Sequence, residues 1–351
     1  MPQISQLAPP EAQPELLESI HEHLRSGSGK PMQLPKVNLA GVNLAGMNLT
    51  GADLSGADLS NADLSDTILT GANLANTRFF GANLSRALLN SANLFNAEFS
   101  GANLTEANLE DAEARQAGFG MANLQRARLS RANLNDSTIS LANLPGADLA
   151  NVSLKRARIR ETKLQGANLN SADLRSAQLS LSQVRGASFK DADLRDARIR
   201  MIEDYQHAEW IGCDVRDVNF AGGYMLRRFI MDQNYLMEYR QSSRGAQILY
   251  YPWLISCDCG RSLGRWCFWI MVLTVIYGGI FKLGGVDFGN YETWFSPYYF
   301  SIVTLTTLGY GDVVPSNLTG QIIAASEVFL GYLMLGGLLS IFSNKIARRA
   351  D

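Results

Sequence analysis

The chain has 351 residues, of which 46% are hydrophobic and 18% charged, and its 31 Lys or Arg and 33 Asp or Glu give a formal net charge of −2. This length supports two or three domains. The balanced charge excludes a generic electrostatic attraction to nucleic acid. The first 30 residues lack the apolar core of a signal peptide, so we expect no secretory leader.

The N-terminal segment, residues 1–36, is predicted to contain one short helix over residues 14–25. A stretch of small residues, Gly27 to Gly29, follows it. We expect this helix to cover the first coil of the repeat region that comes next, because terminal repeats need a polar cap. His21 and His23 stand two residues apart, so they face different directions on a helix and are expected to be solvated.

The region from residue 37 to 199 repeats every five residues. Every fifth position from Leu39 to Ile199 is Leu, Ile, Val or Phe, with Ala114 as the exception, and a small residue, mostly alanine, precedes each of them by two. A period of five fits neither a helix nor a strand, and a fixed period indicates a solenoid. None of the 32 charged residues in this region occupies either position. These two positions are therefore predicted to fill the core.

This pattern resembles the pentapeptide-repeat family. The resemblance implies an all-β fold, a right-handed quadrilateral β-helix with four repeats per coil, which we place at residues 37–221 including a C-terminal cap. About eight coils at the ~4.8 Å strand spacing give a rod of roughly 40 Å. After Ile199 the phase slips by one residue and resumes weakly at Val215 and Phe220. Several residues dilute the pattern there: Arg198, Arg200, Glu203, Asp204 and Trp210.

Residues 222–262 are predicted to link the rod to the segment that follows. Within them, residues 224–240 mix apolar and charged side chains in the pattern of an amphipathic helix. Two locations stay open for this helix: the inner membrane surface and the capped end of the rod.

The remaining polar residues give no sign of a catalytic or metal site, and we expect no enzyme. Cys257 and Cys259 form a C-x-C, but a structural zinc needs about four ligands, and the chain offers only two further cysteines and three histidines. We therefore predict no metal. Asn and Asp before the core residue of a repeat, such as Asn83 and Asp148, are predicted to stabilise turns.

The C-terminal part contains two apolar stretches that are long enough to cross a membrane. Residues 266–281 carry no charge, and residues 322–344 are apolar except for Glu327; a span needs about 20 residues. Between them, Ser296 and Pro297 are predicted to begin a short helix that runs to Thr306, with the serine as its cap and the proline in its first turn.

The run Thr307-Leu308-Gly309-Tyr310-Gly311-Asp312 follows that short helix. A potassium filter must replace the water shell of the ion with rings of backbone carbonyl oxygens. Gly309 and Gly311 permit backbone angles that let successive carbonyls point to one side, and Thr307 can add a hydroxyl at the inner end. Leu308 stands where valine is more usual, but that position contributes its carbonyl.

Residues 263–349, with the signature SIVTLTTLGYGDVVP, resemble the two-span ion-channel family. The resemblance implies an α-helical two-span membrane pore domain over 263–351, with a re-entrant pore helix and a filter. It further implies a homotetramer in membrane lipid, no cofactor, and K⁺ as the permeant ion. The implied K⁺-coordinating residues are Thr307, Leu308, Gly309, Tyr310 and Gly311, with Asp312 at the filter mouth.

The second apolar stretch also carries the candidates for a gate. Gly331, Gly336 and Gly337 interrupt a bulky run. The resemblance implies that such a glycine bends the helix for opening, while close helix packing is the alternative. We expect the adjacent pair, Gly336 and Gly337, to be better placed to bend it.

The distribution of basic residues predicts the orientation in the membrane. Lys and Arg are concentrated in cytoplasmic loops, and here they precede the first stretch and follow the second. Both termini and the β-helix are therefore expected to be cytoplasmic in a multi-pass protein. The residues concerned are Arg240, Arg244, Arg261 and Arg265 before, and Lys345, Arg348 and Arg349 after.

These patterns together predict a tetrameric potassium-selective channel whose β-helix serves as a scaffold or regulator. Two alternatives stay open: a DNA-mimicking rod anchored by the apolar part, and a weakly selective or silent pore used as a scaffold. DNA mimicry needs an extended negative surface, whereas residues 37–199 carry 16 basic and 16 acidic residues. A basic band in the rod is interpreted either as a solvated face or as a surface that contacts the anionic inner leaflet, an acidic partner or the acidic coils of a neighbouring rod. Its residues are Arg126, Arg128, Arg131, Lys155, Arg156, Arg158, Arg160 and Lys163. An unidentified ligand or protein that binds the β-helix also stays open.

Overall fold

The five-residue repeat winds the first part of the chain into coils joined by parallel β-bridges. The bridges link residues 20 apart, from Gln33 with Asp53 to Gln183 with Glu203, so four repeats make one coil and the predicted β-helix is confirmed. The computed structural model describes residues 18, 20, 22, 31–259, 262–289 and 292–350, and side chains as far as residue 343. The chain divides into two units, Met1–Tyr235 and Leu236–Asp351.

The core of the rod consists of the two predicted positions in each repeat. Ala52 and Leu54 are fully buried, and so is Ala114, the exception in the pattern. Because the coils stack in register, residues at equivalent positions in successive coils lie on top of one another. Phe79, Phe99 and Phe119 form such a column, with ring centroids 4.7 Å and 5.0 Å apart and nearly parallel planes.

Polar residues just before the core positions stabilise the corners, as predicted. Asn83 Oδ1 accepts a hydrogen bond from Ser85 N at 3.3 Å, and Asp148 Oδ1 accepts from Ala150 N at 3.2 Å. The amide of Asn83 also donates to Asp63 of the preceding coil at 2.9 Å. These side chains therefore hold each turn and also connect neighbouring coils.

One side of the rod continues as three regular strands in its last coils. The strands β1 (Arg158–Arg160), β2 (Gln178–Ser180) and β3 (Arg198–Arg200) are parallel and adjacent in that order. Arg158 is paired with Gln178, and Gln178 with Arg198. The central residue of each strand is buried and the first faces outward.

The closing coil contains one extra residue. In this coil the interpretation of Trp210 as a residue that dilutes the repeat is wrong. The bridge from Ser188 to Glu209 spans 21 residues, and a 3₁₀ turn at Tyr205–His207 lies within the added length. Trp210 does not dilute the pattern: it is fully buried and stacks on Phe189 with a centroid distance of 4.2 Å. The slip in phase leads directly to this tryptophan, which occupies the core position.

Helices cover both ends of the rod. At the N-terminal end, Glu18, Ile20 and Glu22 are helical and Ile20 is buried in the core cluster. The rest of the helix predicted over residues 14–25, including His21 and His23, lies outside the described residues. At the other end, Leu226 and Ile230 of α1 (Tyr224–Ser242) are buried in the same cluster.

The sequence left two locations open for the amphipathic segment. The first half of this segment packs on the capped end of the rod. Gln233 Oε1 accepts a hydrogen bond from Trp210 N at 2.8 Å, and Asn234 Oδ1 accepts from Gly212 N at 2.6 Å. These two side chains close the backbone of the last coil.

The second unit is helical. It contains α2 (Arg244–Cys257), α3 (Leu263–Lys282), α4 (Ser296–Leu305) and α5 (Leu318–Ala350). Leu263–Lys282 and Leu318–Ser343 are long and apolar enough to cross a membrane. Two short antiparallel strands, β4 (Val286–Asp287) and β5 (Val314–Pro315), pair the segment after α3 with the segment before α5.

The start of α4 differs in detail from the predicted one. Pro297 lies in the first turn, as expected, but Phe295 occupies the cap position and makes no side-chain cap bond. Ser296 instead accepts a hydrogen bond from Thr293 N at 2.9 Å. The serine therefore stabilises the segment that precedes the helix and does not cap the free N–H groups of the first helical turn.

Candidate selectivity filter

The predicted filter residues follow directly from α4, which packs between the two long helices. The Phe300 ring of α4 meets the Phe281 ring of α3 edge-on, with centroids 4.8 Å apart. Gly278 of α3 lies against Tyr298 of α4, so closely that a Cβ would enter the tyrosine ring. α4 ends at Leu305, and its carbonyl end carries the partial negative charge that favours a nearby cation.

The backbone of the filter residues alternates in handedness. Thr307, Gly309 and Gly311 have φ values of 57°, 51° and 76°, whereas Leu308 and Tyr310 do not have positive φ. Alternation of this kind turns successive carbonyl groups toward the same side of the chain, as a ring of ion ligands requires. A Cβ on either glycine would meet no atom within 4 Å. Within this chain the positive φ, and not a steric contact, is therefore what favours glycine at these two positions.

The side chains of two candidate filter residues are exposed. Leu308 is 58% exposed and Tyr310 67% exposed, so one chain leaves these residues uncovered. At the N-terminal end of the segment, Thr307 Oγ1 donates to Thr306 O at 2.7 Å. At its C-terminal end, Tyr299 donates its hydroxyl to Asp312 Oδ2 at 3.1 Å, which connects Asp312 to α4.

A buried carboxyl group lies where α5 contacts α4, and the sequence did not assign it a role. Glu327 on α5 is fully buried, and Ser301 on α4 donates a hydrogen bond to its Oε1. Its Oε2 has no hydrogen-bond partner among the described residues. A buried acid in an apolar run was the available signal, but the sequence could not identify Ser301 as its partner.

The three candidate hinge glycines have different surroundings on α5. Gly331 lies against the Leu305 carbonyl, and Gly337 against the Trp266 ring, so that a Cβ at either would clash. A Cβ at Gly336 would meet nothing within 4 Å. Trp266 also donates its indole N–H to Met334 O at 2.8 Å. Gly331 and Gly337 therefore permit close helix packing, and only Gly336 lacks such a contact within the described chain.

Two ionisable groups in the closing part of the rod have shifted pKa values with clear structural causes. Asp214 accepts hydrogen bonds from Arg216, which lower the pKa of Asp214 to about 2. Burial raises the pKa of the Cys213 thiol to about 12, so it is not a nucleophile at neutral pH. Within the described ranges, no group of three or more His, Cys, Asp or Glu could hold a metal ion.

Comparison with known families gives one match to the C-terminal apolar part of the chain and another to the five-residue repeat. The family model described as "Ion channel" matches residues 266–348. The model described as "Pentapeptide repeats" matches residues 36–71, 72–111, 119–156 and 153–191.

The curated relatives of this chain include potassium-channel proteins. The voltage-gated potassium channel regulatory subunit KCNG2 of Rattus norvegicus is 29% identical over 80 residues, which are 22% of this chain and 17% of that protein. The two-pore potassium channel 1 of Arabidopsis thaliana is 50% identical over 53 residues, 15% of each chain. The chain thus spans only a small part of these relatives.

Among solved structures, HetL, a pentapeptide repeat protein from the cyanobacterium Nostoc involved in heterocyst differentiation regulation, is similar to this chain. The sequence identity is 29% and the TM-score 0.42, with 57% of this chain and 93% of HetL covered.

Proposed function

We propose that this chain, a pentapeptide-repeat protein joined to an ion-channel domain, forms a potassium-selective channel in a membrane. The observation that carries the proposal is the backbone of Thr307 to Gly311, where left-handed residues alternate with the others directly after the carbonyl end of α4. Such a segment presents carbonyl oxygens to a bare cation. The channel relatives support potassium as that cation.

The working channel is a homotetramer. Each chain carries one filter segment, and four such loops are needed to surround an ion. The exposed faces of Leu308 and Tyr310 fit this arrangement, because copies around a closed axis would cover them. α5 also exposes large apolar side chains, among them Phe329, Leu333 and Phe342, which suit contact with lipid or another copy.

In this proposal residues 37–221 form the rod, 222–262 the linker and 263–351 the re-entrant pore domain. The rod and both termini are cytoplasmic, because Lys and Arg are concentrated before and at the start of α3 and at the C-terminal end of α5, after its apolar part Leu318–Ser343. The rod acts as a scaffold or regulator of the pore, with no nucleic-acid partner and no enzymatic step. The only ion held at the filter is the permeant K⁺.

The test is single-channel recording from reconstituted protein with K⁺ or Na⁺ as the only permeant cation. We expect K⁺ current and little Na⁺ current. Gly309→Ala should abolish selectivity or current, because alanine disfavours φ near 51°. Gly279→Ala on α3 is the matched control: a Cβ there meets no atom within 4 Å and the backbone is helical.

Two results would overturn the proposal. The first is an unchanged K⁺ over Na⁺ permeability ratio in Gly309→Ala, which would remove the filter assignment. The second is a particle whose protein mass differs from four times the 38.5 kDa chain mass, measured by native mass spectrometry.

A further inference from the structure

An outward-facing cavity of about 610 Å³ lies on the side of the rod that carries β1, β2 and β3. Its size falls within the range of small-molecule sites. Every lining residue has a polar or charged side chain: Asp136, Thr138, Arg156, Arg158, Ser176, Gln178, Asp196 and Arg198. A second cavity of about 290 Å³ adjoins it and shares Arg156, Ser176 and Asp196.

Two of the three arginines in this cavity form no ion pair with any residue that the structure describes. Arg156 binds Asp136 through two hydrogen bonds of 2.6 Å and 2.7 Å, so these two charges neutralise each other. Neither Arg158 nor Arg198 forms an ion pair in the part of the chain that the structure describes. An exposed guanidinium of this kind is available to an external anion.

The register of the strands places these groups in one row. Arg158 and Arg198 are each paired with Gln178, one from each side. Successive coils are about 4.8 Å apart, so the two arginines flank the glutamine at a separation of about 10 Å. Thr138 bridges to Arg158 on the next coil and extends the row with a hydroxyl. The row therefore offers two planar cationic forks with an amide donor between them.

We propose that this row is a binding site for a small soluble organic phosphate. Arginine forks bind phosphate oxygens through paired hydrogen bonds, and two phosphates joined in one molecule match the spacing of the two arginines better than a single anion. Asp196 lines both cavities and accepts hydrogen bonds, which suits the hydroxyl groups of a sugar phosphate or nucleotide. The ligand class is thus a hydroxyl-bearing diphosphate.

The same rod contains a matched control position. Arg78 occupies the same place in its repeat and on the same side, but its neighbours in the row are Asp58 and Glu98. The Asp58 carboxylate lies 3.9 Å from the Arg78 guanidinium. A phosphate would meet two carboxylates there, so the row around Arg78 should not bind it.

The experiment is calorimetric titration of the purified full-length protein with adenosine diphosphate, inorganic pyrophosphate and adenosine. We expect binding of both phosphate compounds and none of adenosine. Arg158→Gln and Arg198→Gln should each weaken binding at least about ten-fold, because each loses a charge-assisted pair of hydrogen bonds. Arg78→Gln should leave the affinity unchanged. Unchanged melting temperatures of all three variants show that the fold is retained.

Several outcomes would overturn this assignment. They are the absence of pyrophosphate binding at millimolar concentration, equal binding of adenosine, and equal losses in Arg78→Gln and Arg158→Gln. Tighter binding of a soluble short-chain phosphatidic acid than of pyrophosphate would also overturn it, because the site would then recognise a lipid headgroup. Binding is measured without ion flow, so this result is independent of whether the channel conducts.

Discussion

Truncation of Phe99 tests the core of the rod most directly. Phe99 is fully buried between Phe79 and Phe119, at centroid distances of 4.7 Å and 5.0 Å. A Phe→Ala change in a core typically costs about 3–5 kcal/mol, with more when the site cannot collapse. Here the wall is fixed by ladder bonds such as Phe99 N to Gly118 O at 2.7 Å, so Phe99→Ala should cost about 5 kcal/mol of unfolding free energy.

The assay is urea unfolding of residues 1–235, followed by circular dichroism. The fragment must extend to residue 235 because Leu226 and Ile230 cover the end of the rod. Phe99→Leu, which introduces the usual residue of this position, should cost about 1.5 kcal/mol. Glu98→Ala, whose side chain faces outward, should stay within about 0.5 kcal/mol. Equal losses for Phe99→Ala and Glu98→Ala would refute the assignment of the core register.

Three further predictions concern other parts of the molecule. Leu124→Asp places a charge at a site that is 1% exposed and should prevent folding of the rod, whereas Gln125→Asp should be tolerated; equal melting temperatures would contradict this. Gly336→Ala should lower the open probability at unchanged unitary conductance if α5 bends there, and an undiminished open probability would favour packing as the role of that glycine. The pKa of Asp214 falls from 3.8 to about 2 in the fold, so its stabilisation is complete above pH 3.8 and is lost as the pH falls through about 2. Arg216→Gln should therefore lower the stability only slightly at pH 7, because the pair is exposed, and should flatten the decline in unfolding free energy between pH 4 and 2; an unaltered slope would contradict the pairing.

The repeat was predictable because its period depends on local positions alone. Each residue from Leu39 to Ile199 is assigned to the core or to the surface by counting in fives, and the buried positions follow that count. Trp210 was misjudged because the added residue near the Tyr205–His207 turn shifts the count. A pattern of fixed period cannot locate an insertion until the chain has resumed its phase.

Contacts between distant segments were not predictable in the same way. The sequence identified Glu327 as the single acid in an apolar stretch, but its partner Ser301 lies 26 residues away. Their contact depends on the rotation of α5 against α4, which no periodic pattern specifies. The same rotation decides which of the glycines on α5 face a neighbouring helix.

The unbroken phase of the rod also restricts how its length can change during evolution. Loss or gain of one residue would expose the core beyond that point unless a local turn absorbs the change, as the Tyr205–His207 turn absorbs the extra residue of the closing coil. Insertion of five residues would preserve burial but would move each later residue to the next side of the coil. Without such a turn, a change of 20 residues is what keeps every column aligned, including the row of Arg158, Gln178 and Arg198. The rod can therefore lengthen in whole coils of about 4.8 Å while its surface features keep their order.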